Sequence, residues 1–189
     1  NAHAVLSGDG LGALGPLYIG KIRKNTLKIL IRYNEVILEI CEGQAYDMEF
    51  EESENIILDD YFKMSQKKTG SLFELCFEIP TLISSEYENY VDELKGLGRN
   101  LGVIFQIQDD ILELELDETQ MGKGTLSDIT RNKKTILNCI AFEKDSKRWN
   151  VFKKSISDLP NNEKKNAILE YFEKNDIKSQ AKKILDEYI

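Results

Sequence analysis

The sequence predicts an all-α protein, and three observations support this prediction. Apolar residues recur at helical spacing along most of the 189-residue chain, and no stretch shows the sustained alternation of a strand. Only three prolines, at positions 16, 80 and 160, interrupt the chain, so long helices are permitted almost everywhere. Hydrophobic residues make up 41% and charged residues 31% of the chain, a composition that can bury a core of about one domain.

The first segment contains a glycine pattern that resembles a dinucleotide-binding fingerprint. Glycines occur at positions 10, 12 and 15, with Glu35 about twenty residues further on. That fingerprint works only as a strand, a tight turn and a helix N-terminus, whereas Pro16 follows the last glycine and no alternating strands follow. We therefore expect a kinked helix here, whose glycines let neighbouring backbones pack closely.

Three long helices are predicted next. Apolar residues at helical spacing predict a helix over 26–50 and a second over 59–77, which we expect to stop near Pro80. A third is predicted over about 85–114. Together these helices carry most of the chain's polar motifs.

The remainder of the chain is predicted to begin with a loop. Residues 115–132 are polar and contain two glycines, which indicates a loop, and 133–142 forms a short apolar helix. Two or three amphipathic helices follow from Asp145, divided near 160–162 and near 175–176. We divide the chain into core helices over 1–142 and C-terminal helices of the same domain over 143–189.

Charge and cysteine content exclude several classes of function. The formal net charge of −8 argues against nucleic acid as the main partner, because a phosphate backbone needs a basic face. No run of about 18 uncharged apolar residues exists, so no transmembrane segment is expected. Three scattered cysteines, Cys41, Cys76 and Cys139, are too few for a disulfide framework, and their apolar neighbours predict reduced core residues.

An acidic motif on the third helix is the main candidate for chemistry. Asp109 and Asp110 lie four and three residues before Glu113, and Gln106 lies three and four residues before the aspartates. Residues three and four apart share a helical face, so the three carboxylates and the amide are predicted to form one stripe. Crowded carboxylates repel each other, and Mg²⁺ relieves this when phosphate oxygens complete its shell. A solvated acidic face is the alternative.

Three lysines are candidates for binding an anion beside this stripe. Lys123 follows the acidic motif by ten residues, Lys133 follows Lys123 by ten more, and Lys68 lies on the second helix. Taken singly, each could be a solvated surface lysine. If they converge on a metal held by the acids, they complete a site for a multiply charged anion.

These motifs, in this order, resemble those of the trans-isoprenyl diphosphate synthases, the farnesyl, geranylgeranyl and longer polyprenyl diphosphate synthases. The resemblance covers about residues 1–142. The matching segments are Gly43-Gln44-x-x-Asp47, Lys68-Thr69-Gly70-Ser71-Leu72-Phe73, Phe105-Gln106-x-Gln108-Asp109-Asp110-x-x-Glu113, Gly122-Lys123 with Ser127-Asp128, and Lys133-x-Thr135. The opening Ala4-Val5-Leu6-Ser7-Gly8-Asp9 resembles the helix that follows the family's first metal motif.

The resemblance implies an isoprenoid-synthase-type helical bundle around an apolar cavity, usually in a homodimer. It implies a Mg²⁺-dependent condensation of isopentenyl diphosphate with an allylic prenyl diphosphate. Asp109, Asp110 and Glu113 would bind the metal, and Lys68, Lys123 and Lys133 would contact the diphosphate. Thr69, Gln44 and the Lys68 carbonyl would face the developing carbocation, Phe105 and Gln106 would flank the isopentenyl tail, and Asp47 would complete the substrate-binding residues.

Two departures from the family pattern limit this expectation. The family's first aspartate-rich motif and the basic residues that hold isopentenyl diphosphate lie upstream of the segment that matches Ala4 to Asp9, and Glu113 replaces the usual last aspartate. We therefore expect residues 1–189 alone to be inactive. A non-catalytic subunit that regulates a heteromeric synthase, a helical scaffold and a terpene cyclase are the alternatives.

Overall fold

The computed structural model describes residues 2–115 and 133–189, apart from the side chains of residues 114 and 115. Throughout this part of the chain the regular structure is helical, which confirms the predicted fold class. The α-helices are α1 (Ala2–Ile19), α2 (Thr26–Glu52), α3 (Leu58–Ser65), α4 (Ser71–Ile83), α5 (Val91–Glu115), α6 (Ile136–Lys144), α7 (Ser146–Ser155), α8 (Asn161–Lys174) and α9 (Ile177–Tyr188).

A π-helical turn over Gln66–Gly70 joins α3 to α4, so that the chain runs from Leu58 to Ile83 without leaving a helix. This rod was predicted to stop near Pro80, but it continues for three more residues. The Leu82 carbonyl at its end accepts a hydrogen bond from the Asn25 side chain over 2.6 Å, so one of the unpaired carbonyls of the final turn is satisfied.

Local signals explain several of the remaining boundaries. The Thr135 hydroxyl accepts from the Asn138 amide at the start of α6, and the Asp145 carboxylate accepts from the Arg148 amide at the start of α7. The divisions predicted near 160–162 and 175–176 separate α7, α8 and α9, as expected. The loop predicted over 115–132 lies outside the described residues, apart from its first residue, which ends α5.

The larger hydrophobic core lies between α3, α5, α6 and the three C-terminal helices. Tyr61, Val103, Ile107, Leu137 and Ile177 are among its fully buried members. This core joins the two parts into which the sequence was divided, and α6 spans the boundary between residues 142 and 143.

A second packing region is held together by charge. The Arg32 guanidinium on α2 contacts two nearly buried carboxylates of α4, Glu78 at 2.9 Å and Glu74 at 3.3 Å. Arg99 of α5 also reaches Glu74 at 2.9 Å, and Lys95 reaches both acids. Burial would raise the pKa of Glu74, but Arg99 and Lys95 lower it. These pairs join α2, α4 and α5, and a smaller apolar cluster of Ile19, Ile29 and Leu82 joins α1, α2 and α4.

The first segment is helical as predicted, but most of its glycines do not pack closely as expected. α1 runs unbroken through its glycines and Pro16, and a Cβ atom on Gly10 or Gly12 would meet nothing within 4 Å. Close packing is found at Gly15, where a Cβ would lie 2.6 Å from the Tyr33 hydroxyl. The segment is therefore helical where a dinucleotide fingerprint needs a strand and a turn.

All three cysteines are free as predicted, but two of them were wrongly predicted to lie in the core. Cys41 on α2 and Cys76 on α4 are exposed, because each lies on the outer face of its helix, whereas Cys139 on α6 is buried as expected. No described helix is both long enough and apolar enough to cross a membrane.

Candidate active site

The π-helical turn lies between α2 and α5, and both helices approach it at glycines. A Cβ on Gly43 of α2 would lie 2.3 Å from the Lys68 amide nitrogen, and a Cβ on Gly102 of α5 would lie 2.4 Å from the Cα of Gly70. No side chain fits at either position, so backbone packs on backbone. This contact fixes where Lys68 and Thr69 project.

An ion pair joins Lys68 to Asp47. The Lys68 ammonium lies 2.5 Å from the Asp47 carboxylate, which is nearly buried on α2, while Lys68 itself is partly exposed. Asp47 therefore orients the ammonium group of Lys68 from its buried side. Gln44 lies one turn earlier on α2 and is exposed.

A chain of hydrogen bonds runs from Thr69 into the core. The Thr69 hydroxyl donates to the side-chain oxygen Oε1 of Gln106 over 3.1 Å. The side-chain nitrogen Nε2 of Gln106 donates to the Asp110 carboxylate, also over 3.1 Å. The other Asp110 oxygen accepts from the Tyr61 hydroxyl at 2.8 Å and from the Ile136 amide at 2.9 Å. Residues of α3, α5 and α6 thus meet at one carboxylate, and the π-helical turn is joined to it through Gln106.

The predicted single acidic stripe is therefore divided. Asp110 is 3% exposed and Gln106 is 9% exposed, and both face the core beside Ile107. Asp110 already accepts three hydrogen bonds, which leaves few of its oxygen lone pairs for a metal. Burial raises its pKa to about 6, although these three donors and Lys133 oppose the rise.

Asp109 and Glu113 form the outward part of the motif. Asp109 is exposed and Glu113, one helical turn later, is partly exposed. Within the described parts of the chain, no three or more acidic, histidine or cysteine side chains are grouped to hold a metal. Two carboxylates one turn apart nevertheless fit Mg²⁺, which is commonly held by one or two carboxylates together with substrate phosphates.

The other predicted residues are distributed around these elements. Phe105 is 53% exposed, and its ring packs against Phe73 with centroids 5.8 Å apart. Lys133 is partly exposed just before α6 and is close enough to Asp110 to lower its pKa. Lys123 lies outside the described residues, as do Ser127 and Asp128.

Sequence reasoning missed Tyr61 and the pairing of Gly70 with Gly102. Tyr61 is 1% exposed and lies within the helix predicted over 59–77. A buried tyrosine hydroxyl needs a hydrogen-bond partner, which was a signal for Asp110 or another interior acceptor. The glycines gave no such signal, because a close backbone contact depends on which helices meet.

Solved structures define the class to which this bundle belongs. The chain matches a heptaprenyl diphosphate synthase from Staphylococcus aureus with a TM-score of 0.84 and 24% identity, over the whole chain and 58% of that protein. It matches a geranylgeranyl pyrophosphate synthetase from Pyrococcus horikoshii with a TM-score of 0.77 and 31% identity, again over the whole chain and 58% of that protein. The fold is that of an isoprenoid synthase.

The chain belongs to the polyprenyl synthetase family, whose sequence pattern matches residues 1–173. It is 40% identical over 139 residues to a geranylgeranyl diphosphate synthase from Sulfolobus acidocaldarius, covering 71% of this chain and 42% of that one. It is 39% identical over 139 residues to a short chain isoprenyl diphosphate synthase from Methanocaldococcus jannaschii, covering 71% and 41%. The aligned part thus spans about two fifths of these curated relatives.

Proposed function

We propose that the chain carries the second metal-binding half of a prenyltransferase that condenses isopentenyl diphosphate with an allylic diphosphate. The observation that carries this proposal is the position of two outward carboxylates, Asp109 and Glu113, on the helix that also reaches Thr69 through Gln106. Relatives named as geranylgeranyl and short chain isoprenyl diphosphate synthases support the same reaction class.

Asp109 and Glu113 are the proposed ligands for Mg²⁺, and Asp110 supports them from inside the core. When bound, Mg²⁺ would supply positive charge against which the allylic diphosphate can leave. Lys68, held by Asp47, would contact the same diphosphate, and Lys133 and Lys123 complete the proposed cationic group. In this proposal the diphosphate binds where these side chains converge.

The carbon chemistry requires a negative environment for the allylic cation. The C–O bond of the allylic diphosphate breaks heterolytically, the cation is attacked by the double bond of isopentenyl diphosphate, and the departing pyrophosphate accepts the proton that is lost. Thr69 donates its hydroxyl hydrogen to Gln106, so the lone pairs of its oxygen remain for the cation. Gln44 and the Lys68 carbonyl are proposed to act with it.

Phe105 and Gln106 are proposed to flank the tail of isopentenyl diphosphate. The half-exposed ring of Phe105, supported by Phe73, offers an apolar surface of this kind. The homodimer implied by the resemblance is also part of the proposal. Exposed apolar residues on α1 and α2, including Val5, Leu11 and Leu38, offer a surface on which it could form.

A product assay tests the reaction. Residues 1–189 and the full natural protein are incubated with labelled isopentenyl diphosphate, Mg²⁺ and allylic diphosphates of increasing length, and the labelled products are separated by chain length. We expect elongation by the natural protein and none by residues 1–189 alone. If the full natural protein also shows no elongation but stimulates a partner synthase, it is instead a regulatory subunit.

Ligand-induced stabilisation tests the metal site separately. With Mg²⁺ and a bisphosphonate at 100 times its dissociation constant, the folded state should gain about 2.7 kcal/mol. This gain should be lost in Asp109→Asn and Glu113→Gln and retained in Asp92→Asn and Glu93→Gln, which make the same changes at the start of α5. Equal loss in the two pairs would refute the assignment.

A further inference from the structure

A cavity lies beside α6. It has a volume of about 250 Å³ and is enclosed by α6, α7, α8 and the connection after α2. Of the residues proposed for the metal and diphosphate site, only Lys133 lines it; Asp109, Glu113 and Lys68 do not. Among the described residues this cavity therefore shares Lys133 with that site and is otherwise lined by different side chains.

The wall of this cavity is strongly basic. Its charged lining residues, among those that the structure describes, are four lysines and one acid: Lys133, Lys134, Lys153, Lys164 and Glu54. The chain as a whole carries a formal net charge of −8, so the described wall of this cavity has the opposite sign of charge to the chain. Basic side chains that enclose a concave space attract a compact anion.

Two of these lysines are charged at a cost. Lys134 is 7% exposed, and burial, followed by repulsion from Lys153, lowers its pKa to about 8. Burial likewise lowers the pKa of Lys153, while Glu54 raises it. An anion held between the two ammonium groups would favour their charged forms, because opposite charge replaces the lost solvation.

We propose that this cavity binds a compact phosphate anion, such as pyrophosphate or the head group of a small phosphate ester. Lysine ammonium groups suit phosphate oxygens as point charges. The volume admits such a group but not a long hydrocarbon chain. Trp149, Phe142 and Ile156 form the apolar part of the wall, where a short apolar substituent of the ester would lie. The proposal does not rest on the prenyltransferase function, although Lys133 is common to both sites.

The cavity contains its own reporter. Trp149 is the only tryptophan of the chain and lines this cavity. Titration of the full natural protein with inorganic pyrophosphate can therefore be followed by fluorescence, provided that residues outside 1–189 contain no tryptophan or that any present are replaced by phenylalanine. EDTA is included throughout, because without Mg²⁺ the Asp109 and Glu113 site is not expected to bind pyrophosphate.

We expect a saturable change in fluorescence with pyrophosphate, a weaker one with phosphate, and none with chloride at equal ionic strength. Lys134→Gln and Lys153→Gln should each weaken binding about tenfold, since each removes a charged hydrogen-bond donor. Lys154→Gln is the matched control, because Lys154 is exposed on α7 and does not line the cavity. Circular dichroism confirms that each variant is folded.

Two results would overturn the proposal: no saturable signal with pyrophosphate, or equal weakening in Lys153→Gln and Lys154→Gln. The second result would mean that the anion responds only to overall charge. Lys134→Arg, which keeps the charge, should retain most of the affinity and thereby separates loss of charge from loss of packing. Because EDTA is present, failure here leaves the proposed metal site unaffected.

Discussion

The side-chain amide of Gln106 donates to the carboxylate of Asp110 over 3.1 Å. A carboxylate accepts hydrogen bonds and cannot donate them, so the amide nitrogen must face Asp110 and the amide oxygen must face away from it. That oxygen meets the hydroxyl of Thr69, which therefore donates. A buried acid thus fixes the polarity of a hydroxyl two residues away in the hydrogen-bond chain.

Replacement of Asp110 should separate support from metal binding. In Asp110→Asn, the new amide cannot accept all three hydrogen bonds, so Gln106 can turn over and Thr69 loses its fixed orientation. We expect product formation by the full natural protein to fall about tenfold to a hundredfold, as for other residues that position a site's ligands. The Mg²⁺ concentration for half-maximal activity should change little in this variant, and should rise in Asp109→Asn. A similar rise in both would identify Asp110 as a ligand.

Glycine replacements should test the backbone contacts of the π-helical turn. Gly43→Ala and Gly102→Ala place a methyl group against backbone atoms, so we expect each to lower the free energy of unfolding by about 1–3 kcal/mol. Gly12→Ala is the control, since its Cβ would meet nothing within 4 Å. This helical alanine should be neutral or stabilise by up to about 1 kcal/mol in urea denaturation. Equal effects at all three sites would contradict the close approach.

Removal of Arg32 should expose the cost of burying Glu74 and Glu78. Breaking a buried ion pair costs about 3–5 kcal/mol, and because Lys95 and Arg99 remain, we expect Arg32→Met to lie at or below the lower end of that range. Arg23→Met makes the same change at an exposed position and should have little effect on the urea midpoint. A midpoint unchanged in Arg32→Met would show that the network adds nothing to stability.

Lys134 should make the free energy of unfolding depend on pH in the alkaline range. Its pKa is about 8 in the folded chain and near its ordinary 10.5 in the unfolded chain, so between these values the unfolded chain binds more protons. This group's contribution to stability therefore rises with pH over that window and is unfavourable below it. Lys134→Met should raise the urea midpoint at pH 7, and the difference should shrink between about pH 8 and pH 10.5. Lys154→Met should show neither effect.

The sequence predicts helices well where one face is apolar. It predicts less well the places where two helices pack backbone against backbone at glycines. The periodic apolar residues of α2 and α5 gave their positions to within a few residues at most boundaries. The rod from Leu58 to Ile83 was predicted too short, because a proline in a final turn need not end a helix. Its missing amide hydrogen removes only one bond of the ladder, and the ladder continues beyond it, since the Ser84 amide donates to the Pro80 carbonyl.

The candidate site was predicted less completely than the fold. Spacing predicted one stripe that contains Asp109, Asp110 and Glu113, but spacing alone does not say where on α5 the core begins. Asp110 turned inward because Tyr61 and the start of α6 provide donors there, and these are contacts between segments far apart in the chain. The prediction that Cys41 and Cys76 are buried was wrong for a related reason: apolar neighbours in the sequence do not specify the face of a helix on which a residue lies.

The π-helical turn also sets the rotational phase of everything that follows it. An α-helix advances about 100° per residue, so deletion of one residue from Gln66–Gly70 would turn α4 by about that angle relative to α3. Glu74 would then point away from Arg99, and Phe73 away from Phe105. The length of this stretch is therefore a requirement in its own right, in addition to the identity of Lys68 and Thr69. Single-residue insertions or deletions there should be less tolerated than substitutions at its other positions.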